Sequence, residues 1–166
     1  IFFALGFVHL LLFLFYRKAI YNLYFSSYNL SIGLLSYMVL AFYEMTDPDK
    51  INTYSFLSFL AIVAFGASLT GFVNTLFGKS KLRLKIMLGI AGLFLILFYF
   101  SAGLAVSFVF FYIFIAAIES FFLIVRAMIR REKSAFIVGG GVLTFFLFVI
   151  MLIVFQILDS LNIVDP

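Results

Sequence analysis

Long apolar stretches separated by short clusters of charged residues make up almost the whole chain. The apolar residues cover all faces of a helix, rather than one face or every second position, which is typical of helices surrounded by hydrocarbon. A helix that crosses a membrane needs about 20 such residues, with a range of about 17–25. The pattern therefore predicts an all-α fold, a polytopic bundle of transmembrane helices.

The charged clusters delimit six predicted spans. The apolar stretch 86–125 is too long for one of them, because a single helix of about 40 residues would reach about 60 Å, twice the hydrocarbon thickness of a bilayer. We therefore place a hairpin turn at Ser101-Ala102-Gly103, since small residues and glycine favour a turn. The predicted spans cover about residues 1–16, 19–43, 54–78, 86–100, 104–126 and 135–158.

The basic residues predict one orientation of these spans. Lysine and arginine are enriched in cytoplasmic loops. With the N-terminus outside, ten of the eleven basic residues lie on the cytoplasmic side and Lys50 alone lies outside. We therefore predict a multi-pass protein of the plasma (inner) membrane with an extracytoplasmic N-terminus. The basic residues of its cytoplasmic loops, which we expect to contact anionic lipid, are Arg17, Lys18, Lys79, Lys81, Arg83, Lys85, Arg126, Arg130, Arg131 and Lys133.

The composition agrees with one membrane-embedded domain over residues 1–166. Hydrophobic residues make up 66% of the chain and charged residues 11%, whereas soluble domains have about 45–50% and about 25%. A small soluble domain could not bury so much apolar surface. The formal net charge of +4 comes from basic residues that are too scattered for a nucleic-acid-binding face.

Two ionisable residues, His9 and Glu119, lie inside predicted spans, where a charge costs about 2.5–3.5 kcal/mol on insertion scales. Both spans run from outside to inside, and both residues lie about 10–12 Å from the cytoplasmic boundary at about 1.5 Å per residue. We therefore predict an intramembrane polar pair at one depth. The pair is either a switch between two states or a structural contact that sets the helix register.

Small residues of the third span follow one another at spacings of three and four, which places them on one helix face. Such a stripe lets neighbouring helices approach closely. It serves either internal packing, which we favour, or a homodimer. The run Gly139-Gly140-Gly141 in the sixth span is interpreted in the same way, as a close helix contact rather than a functional break. The stripe consists of Ala61, Ala64, Ser68, Gly71 and Thr75.

No catalytic, cofactor-binding or metal site is predicted. The chain has one histidine and no cysteine, so disulfides, zinc–thiolate sites and thiol catalysis are excluded. Motifs of metalloproteases, serine hydrolases and phosphate-binding loops do not occur. We therefore expect a protein that is not an enzyme and that uses neither cofactor nor metal.

The segment Leu5–Leu30, with the sequence LGFVHLLLFLFYRKAIYNLYFSSYNL, resembles the first two spans of the bacterial seven-transmembrane receptors with diverse intracellular signalling modules. The resemblance rests on the apolar stretch His9–Phe13, the basic pair Arg17-Lys18 and the stretch Asn22–Phe25. Two later segments are similar to the basic loop that precedes the sixth span and to the short outer loop before a seventh span. They are Ile129–Ala135 and Leu161–Pro166.

The resemblance implies an N-terminus outside, often preceded by a sensor domain. It also implies a seventh span followed by a histidine kinase, a diguanylate cyclase or a serine phosphatase. The chain would then be a fragment of a longer receptor, in which it transmits an external or bilayer signal to cytoplasmic modules. The alternative is a small transporter or channel that uses His9 and Glu119 to relay protons or bind a substrate. The ligand is not predicted by either hypothesis.

Overall fold

The computed structural model describes residues 1–43, 48–78, 81–132 and 134–142. Within these residues the secondary structure is helical and contains no strand, so the all-α prediction is confirmed for the described part of the chain. A sixth helix, α6, covers 135–142 up to the end of that part. The first five helices are α1 (Phe2–Phe15), α2 (Ile20–Tyr43), α3 (Pro48–Phe77), α4 (Lys81–Phe100) and α5 (Ala102–Ile129).

Three helices in the described residues are long and apolar enough to cross a membrane, whereas the sequence analysis predicts six spans. They are Lys50–Phe77 of α3, Leu82–Phe100 of α4 and Phe111–Ile129 of α5. The apolar helix α1 has 14 residues, about 21 Å of helix against about 30 Å of hydrocarbon. The 24 residues of α2 include six Asn and Ser residues, which lower its hydropathy. Residues 143–158 of the predicted sixth span lie outside the described residues.

The hairpin is confirmed, but the charged ends of the helices extend beyond the predicted spans. Ser101 is the single non-helical residue between α4 and α5. The helix α3 begins at Pro48 rather than at 54, and α4 begins at Lys81 rather than at 86. Charged residues interrupt an apolar stretch but do not interrupt backbone hydrogen bonding. Proline is well suited to the first helical position, because the N–H that it lacks has no partner within the helix.

The chain forms two compact units, Ile1–Leu123 and Ile124–Pro166, which divide within α5. In the first unit α1 packs on α2, α2 on α3, and α3 on α4. In the second unit Gly139 of α6 lies against α5, because a β-carbon at this glycine would be 2.9 Å from Cγ2 of Ile124. The close helix contact expected at the glycine run is therefore present at Gly139.

An apolar core joins α3, α4 and α5 in the first unit. The ring of Tyr112 is 2% exposed and lies against Gly66 of α3, where a β-carbon would be 2.6 Å from its Cε1. The same ring meets that of Phe94 edge-on, with 5.7 Å between centroids. Glycine therefore allows an aromatic ring to fill the space between three helices. The buried core residues are Phe59, Val63, Met87, Ala91, Ala105, Val109, Tyr112 and Ala116.

The helix α5 ends in a cap that would suit glycine. The N–H of Glu132 donates to the carbonyl of Ala127, and the N–H of Arg131 donates to that of Met128, which is the Schellman pattern. Arg131 occupies the left-handed position of this cap, with φ of 54°. A β-carbon is disfavoured in that conformation, and glycine is the residue that usually occupies it.

Replacing Arg131 by glycine should therefore raise the free energy of unfolding by about 1 kcal/mol, since the left-handed conformation costs other residues about 1–2 kcal/mol. Chemical unfolding of the protein in detergent micelles would measure the change. Arg130→Gly is the matched control, because it removes the same charge from a residue that still bonds to Arg126 in the helical pattern. The control should be destabilised, and equal effects of the two substitutions would contradict the prediction.

Candidate functional site

Buried polar side chains are concentrated on α2 and α3. Polar groups that lie in hydrocarbon without a hydrogen-bond partner are costly, so such residues are candidates for helix contacts or for function. We call the buried polar residues of these two helices the polar seam. It consists of Asn22, Ser26, Asn29 and Ser31 on α2 and of Ser68, Thr70 and Asn74 on α3.

Several polar side chains of the seam bond to the backbone of their own helix. The amide of Asn29 donates to the carbonyl of Phe25 at 2.8 Å. The hydroxyl of Ser31 donates to the carbonyl of Ser27, also at 2.8 Å, and Thr70 makes the same type of bond within α3. Bonds to the carbonyl four residues earlier satisfy a buried side chain without joining two helices.

The small-residue stripe of α3 contacts α2 at two of its members. The Oγ of Ser68 donates to the Oγ of Ser27 at 2.8 Å. The ring of Tyr24 lies so close to Gly71 that a β-carbon there would overlap the ring carbons. These contacts agree with the internal-packing interpretation of the stripe. The other members also lie in α3, where Thr75 bonds to its own helix and two alanines line a cavity: Ala61 and Ala64.

His9 of α1 bonds to the polar seam. Its Nδ1 is 3.0 Å from Oδ1 of Asn22. An amide oxygen accepts hydrogen bonds, so Nδ1 must carry the proton and donate. The imidazole also meets the ring of Phe25 edge-on, with 4.4 Å between centroids. His9 therefore anchors α1 on α2 through one hydrogen bond and one aromatic contact.

Glu119 of α5 has a basic partner on α4. Its Oε1 lies 3.8 Å from Nη1 of Arg83, and the exposed fractions of the two side chains are 20% for Glu119 and 50% for Arg83. Within the described residues this oxygen has no hydrogen-bond partner. The long side chain of arginine lets its charged group lie apart from its own backbone. The ion pair is therefore loose, because the two groups attract each other without a direct hydrogen bond.

The predicted pairing of His9 with Glu119 stays a prediction, because the contacts that the structure describes for these two residues involve other partners. The structure joins His9 to Asn22 and brings Arg83 to Glu119. The position of a residue along a span predicts its depth but not the rotation of its helix, and apolar residues on every face of a span leave that rotation open. A polar spacing of four and three at Asn22, Ser26 and Asn29 could have indicated the seam, because it places these residues on one face of α2.

The basic residues of the predicted cytoplasmic loops are exposed wherever the structure describes their side chains, as contact with lipid headgroups requires. Two lie in the turn between α1 and α2, two at the beginning of α4, and three at the end of α5 or just after it. They are Arg17, Lys18, Arg83, Lys85, Arg126, Arg130 and Arg131. Lys81 is the first residue of α4. Lys79 and Lys133 lie outside the described residues.

The bond between His9 and Asn22 should give a measurable coupling energy. In a double-mutant cycle with His9→Phe and Asn22→Leu, we expect a coupling energy of about 0.6–1.7 kcal/mol, which extends from the average to the maximum for polar contacts between membrane helices. The free energy of unfolding in detergent supplies the measurement. Asn29→Leu is the matched control, because the Asn29 amide bonds within α2 and should not couple to His9. Equal coupling at both asparagines would contradict the assignment.

The polar contacts described above connect pairs of helices. In the described ranges, no group of three or more His, Asp or Glu residues lies close enough together to hold a metal ion. The resemblance noted in Leu5–Leu30 raises the question of a family. Comparison with protein-family models, with curated proteins and with solved structures gave no match. The relation to the seven-transmembrane receptors therefore stays a prediction.

Proposed function

We propose that the chain is the signal-transducing membrane region of a bacterial receptor, with six spans and its N-terminus outside the cytoplasm. The observation that carries the proposal is that polar side chains of the predicted spans connect neighbouring helices. His9 joins α1 to α2 and Ser68 joins α3 to α2, while Arg83 on α4 pairs with Glu119 on α5. Such contacts suit a bundle that transmits movement between packed helices.

The burial of polar groups supports α2 as a membrane span despite its low hydropathy. The polar seam residues of α2 are each at most 7% exposed, and α2 packs on both α1 and α3. Large apolar side chains of α2, including Val39 and Leu40, are more than half exposed. A helix of this kind can cross hydrocarbon, because its neighbours cover its polar side chains. The short α1 would be accommodated by local thinning of the bilayer.

The proposed topology can be tested by cysteine labelling, because the chain contains no cysteine of its own. Single cysteines at Lys50 and Ser101 should react with a membrane-impermeant maleimide in intact cells. Cysteines at Lys18 and Arg130 should react only after the membrane has been permeabilised. The reverse pattern would overturn the orientation. Labelling of Ser101 from the same side as Arg130 would overturn the span count.

Signal transmission requires two discrete arrangements of the bundle. Spin labels on Val8 of α1 and Leu93 of α4, which are 53% and 61% exposed, would report the distance between these helices in lipid bilayers. We expect two distance populations whose ratio changes in His9→Phe. One narrow population that is the same in both proteins would overturn the proposed function.

A small transporter or channel is the second candidate, and one observation favours it. The Oε1 of Glu119 is buried without a hydrogen bond in the described structure, as a carboxylate that exchanges protons or binds a cation could be. The partner of His9 in the structure is Asn22, so this observation concerns Glu119 and not His9. Purified protein that moves protons or cations into liposomes, with the movement lost in Glu119→Gln, would favour this candidate over the receptor.

A further inference from the structure

A cavity of about 320 Å³ lies over α2, between α1 and α3, and we call it the α2 groove. Its α2 lining extends from Leu23 to Leu34, about 16 Å at 1.5 Å per residue. The volume is at the lower end of the range for ligand pockets, about 300–1,000 Å³. An apolar groove that runs along one helix over this length fits a single extended hydrocarbon chain better than a fused ring system.

The lining of the groove is apolar except for three serines of α2. Leu10 of α1 and Leu60 of α3 contribute to its walls, and no charged residue lines it. A carboxylate or phosphate inside the groove would have no counter-ion, which makes its burial unfavourable. A chain that occupies the groove must therefore be uncharged over its buried length.

The three serines of the groove differ in the hydrogen bonds that the described structure gives them. Ser27 accepts the bond from Ser68, and Ser31 donates to the carbonyl of Ser27. Ser26 lines the groove and is 1% exposed, and its side chain makes no hydrogen bond to any other described residue. Buried polar groups in proteins are almost always bonded to a partner or to water. Ser26 therefore gains a hydrogen bond if an occupant presents an oxygen atom.

We propose that the α2 groove binds a long-chain amphiphile, an unbranched hydrocarbon chain whose uncharged oxygen bonds to the hydroxyl of Ser26. A long-chain alcohol is the simplest molecule with this chemistry. The entry of such a molecule from the hydrocarbon layer rests on the membrane location proposed above. The binding itself does not depend on whether the chain transmits a signal.

The experiment uses the full chain in phosphatidylcholine liposomes with a photoreactive hexadecanol, which carries a diazirine in the middle of its chain. Labelled residues, located by mass spectrometry, should fall in the stretch Leu23–Leu34 and should be protected by excess hexadecanol. Ala64→Leu, which fills the groove, should abolish this labelling. Gly92→Leu is the control, because this glycine of α4 is exposed and no atom lies within 4 Å of the place that a β-carbon would take.

The hydroxyl of Ser26 is tested separately, so that a misfolded Ala64→Leu protein does not decide the result. In Ser26→Ala the concentration of hexadecanol that gives half protection should rise about two- to tenfold, the change expected for one hydrogen bond. Protection by hexadecane, which lacks the oxygen, should not change. An equal change for the alcohol and the alkane would overturn the role assigned to Ser26.

Uniform labelling of the outward faces of α4 and α5, without protection by hexadecanol, would indicate ordinary lipid contact. It would overturn the proposal that the α2 groove binds a long-chain amphiphile. Cysteine labelling of the same liposomes separates this failure from a failure of the proposed function. If cysteine labelling shows that the protein is inserted and the photolabelling is uniform, only the proposed binding in the α2 groove is contradicted. Specific labelling of the groove would support the proposed binding. If the spin labels then show a single population of helix distances, the proposed receptor function is contradicted.

Discussion

Replacing Tyr112 by alanine should lower the free energy of unfolding by about 3–5 kcal/mol, the range for loss of a buried aromatic ring. The ring is 2% exposed and fills the space between Gly66 of α3 and Phe94 of α4. Helices in a membrane associate through close packing, so the cavity left by the ring removes contacts from three helices together. Chemical unfolding in detergent micelles, followed by circular dichroism, would measure the loss.

The substitution Tyr112→Phe distinguishes the contribution of the ring to stability from that of its hydroxyl. The Oη of Tyr112 is buried and has no hydrogen-bond partner among the described residues. Removing a buried hydroxyl that has no partner should be neutral or slightly stabilising, although the residue lies at the centre of the core. A loss in Tyr112→Phe as large as that in Tyr112→Ala would contradict this account, because it would mean that the hydroxyl and not the ring stabilises the bundle.

The sequence predicted the helical class and the hairpin because both follow from length. The apolar stretch 86–125 exceeds the thickness of a bilayer, and the chain does break at Ser101, within the small-residue cluster chosen for the turn. The helix ends were predicted less well. Hydropathy reports the part of a helix that suits hydrocarbon, whereas α3 and α4 begin within charged segments, at Pro48 and Lys81.

The sequence analysis selected His9 and Glu119 but did not name the residues that they contact in the structure. His9 and Glu119 were identified because ionisable groups are rare in spans, and both make polar contacts in the structure. Their partners depend on how each helix is rotated about its axis. Arg83 was assigned to a loop, because charge was taken to end a span, yet it lies in the first turn of α4 and its side chain reaches Glu119.

Replacing Gly71 by alanine should lower the free energy of unfolding by about 1–3 kcal/mol, as expected for an added carbon in a packed interface. In an ordinary helix the same substitution stabilises by about 1 kcal/mol, because alanine has the higher helix propensity. At Gly71 we expect a loss of stability instead, because a β-carbon there would overlap three carbons of the Tyr24 ring. Unfolding in detergent would show whether α2 and α3 can separate enough to accept the methyl group.

Gly92→Ala is the matched control, because it makes the same chemical change on α4 where no atom lies within 4 Å of the added carbon. It should stabilise the protein by about 1 kcal/mol through helix propensity alone. Tyr24→Leu should restore much of the stability lost in Gly71→Ala, because it removes the ring that causes the overlap. If Gly71→Ala is as stabilising as Gly92→Ala, the tyrosine ring moves aside without cost, and the stripe on α3 is not what holds α2 close.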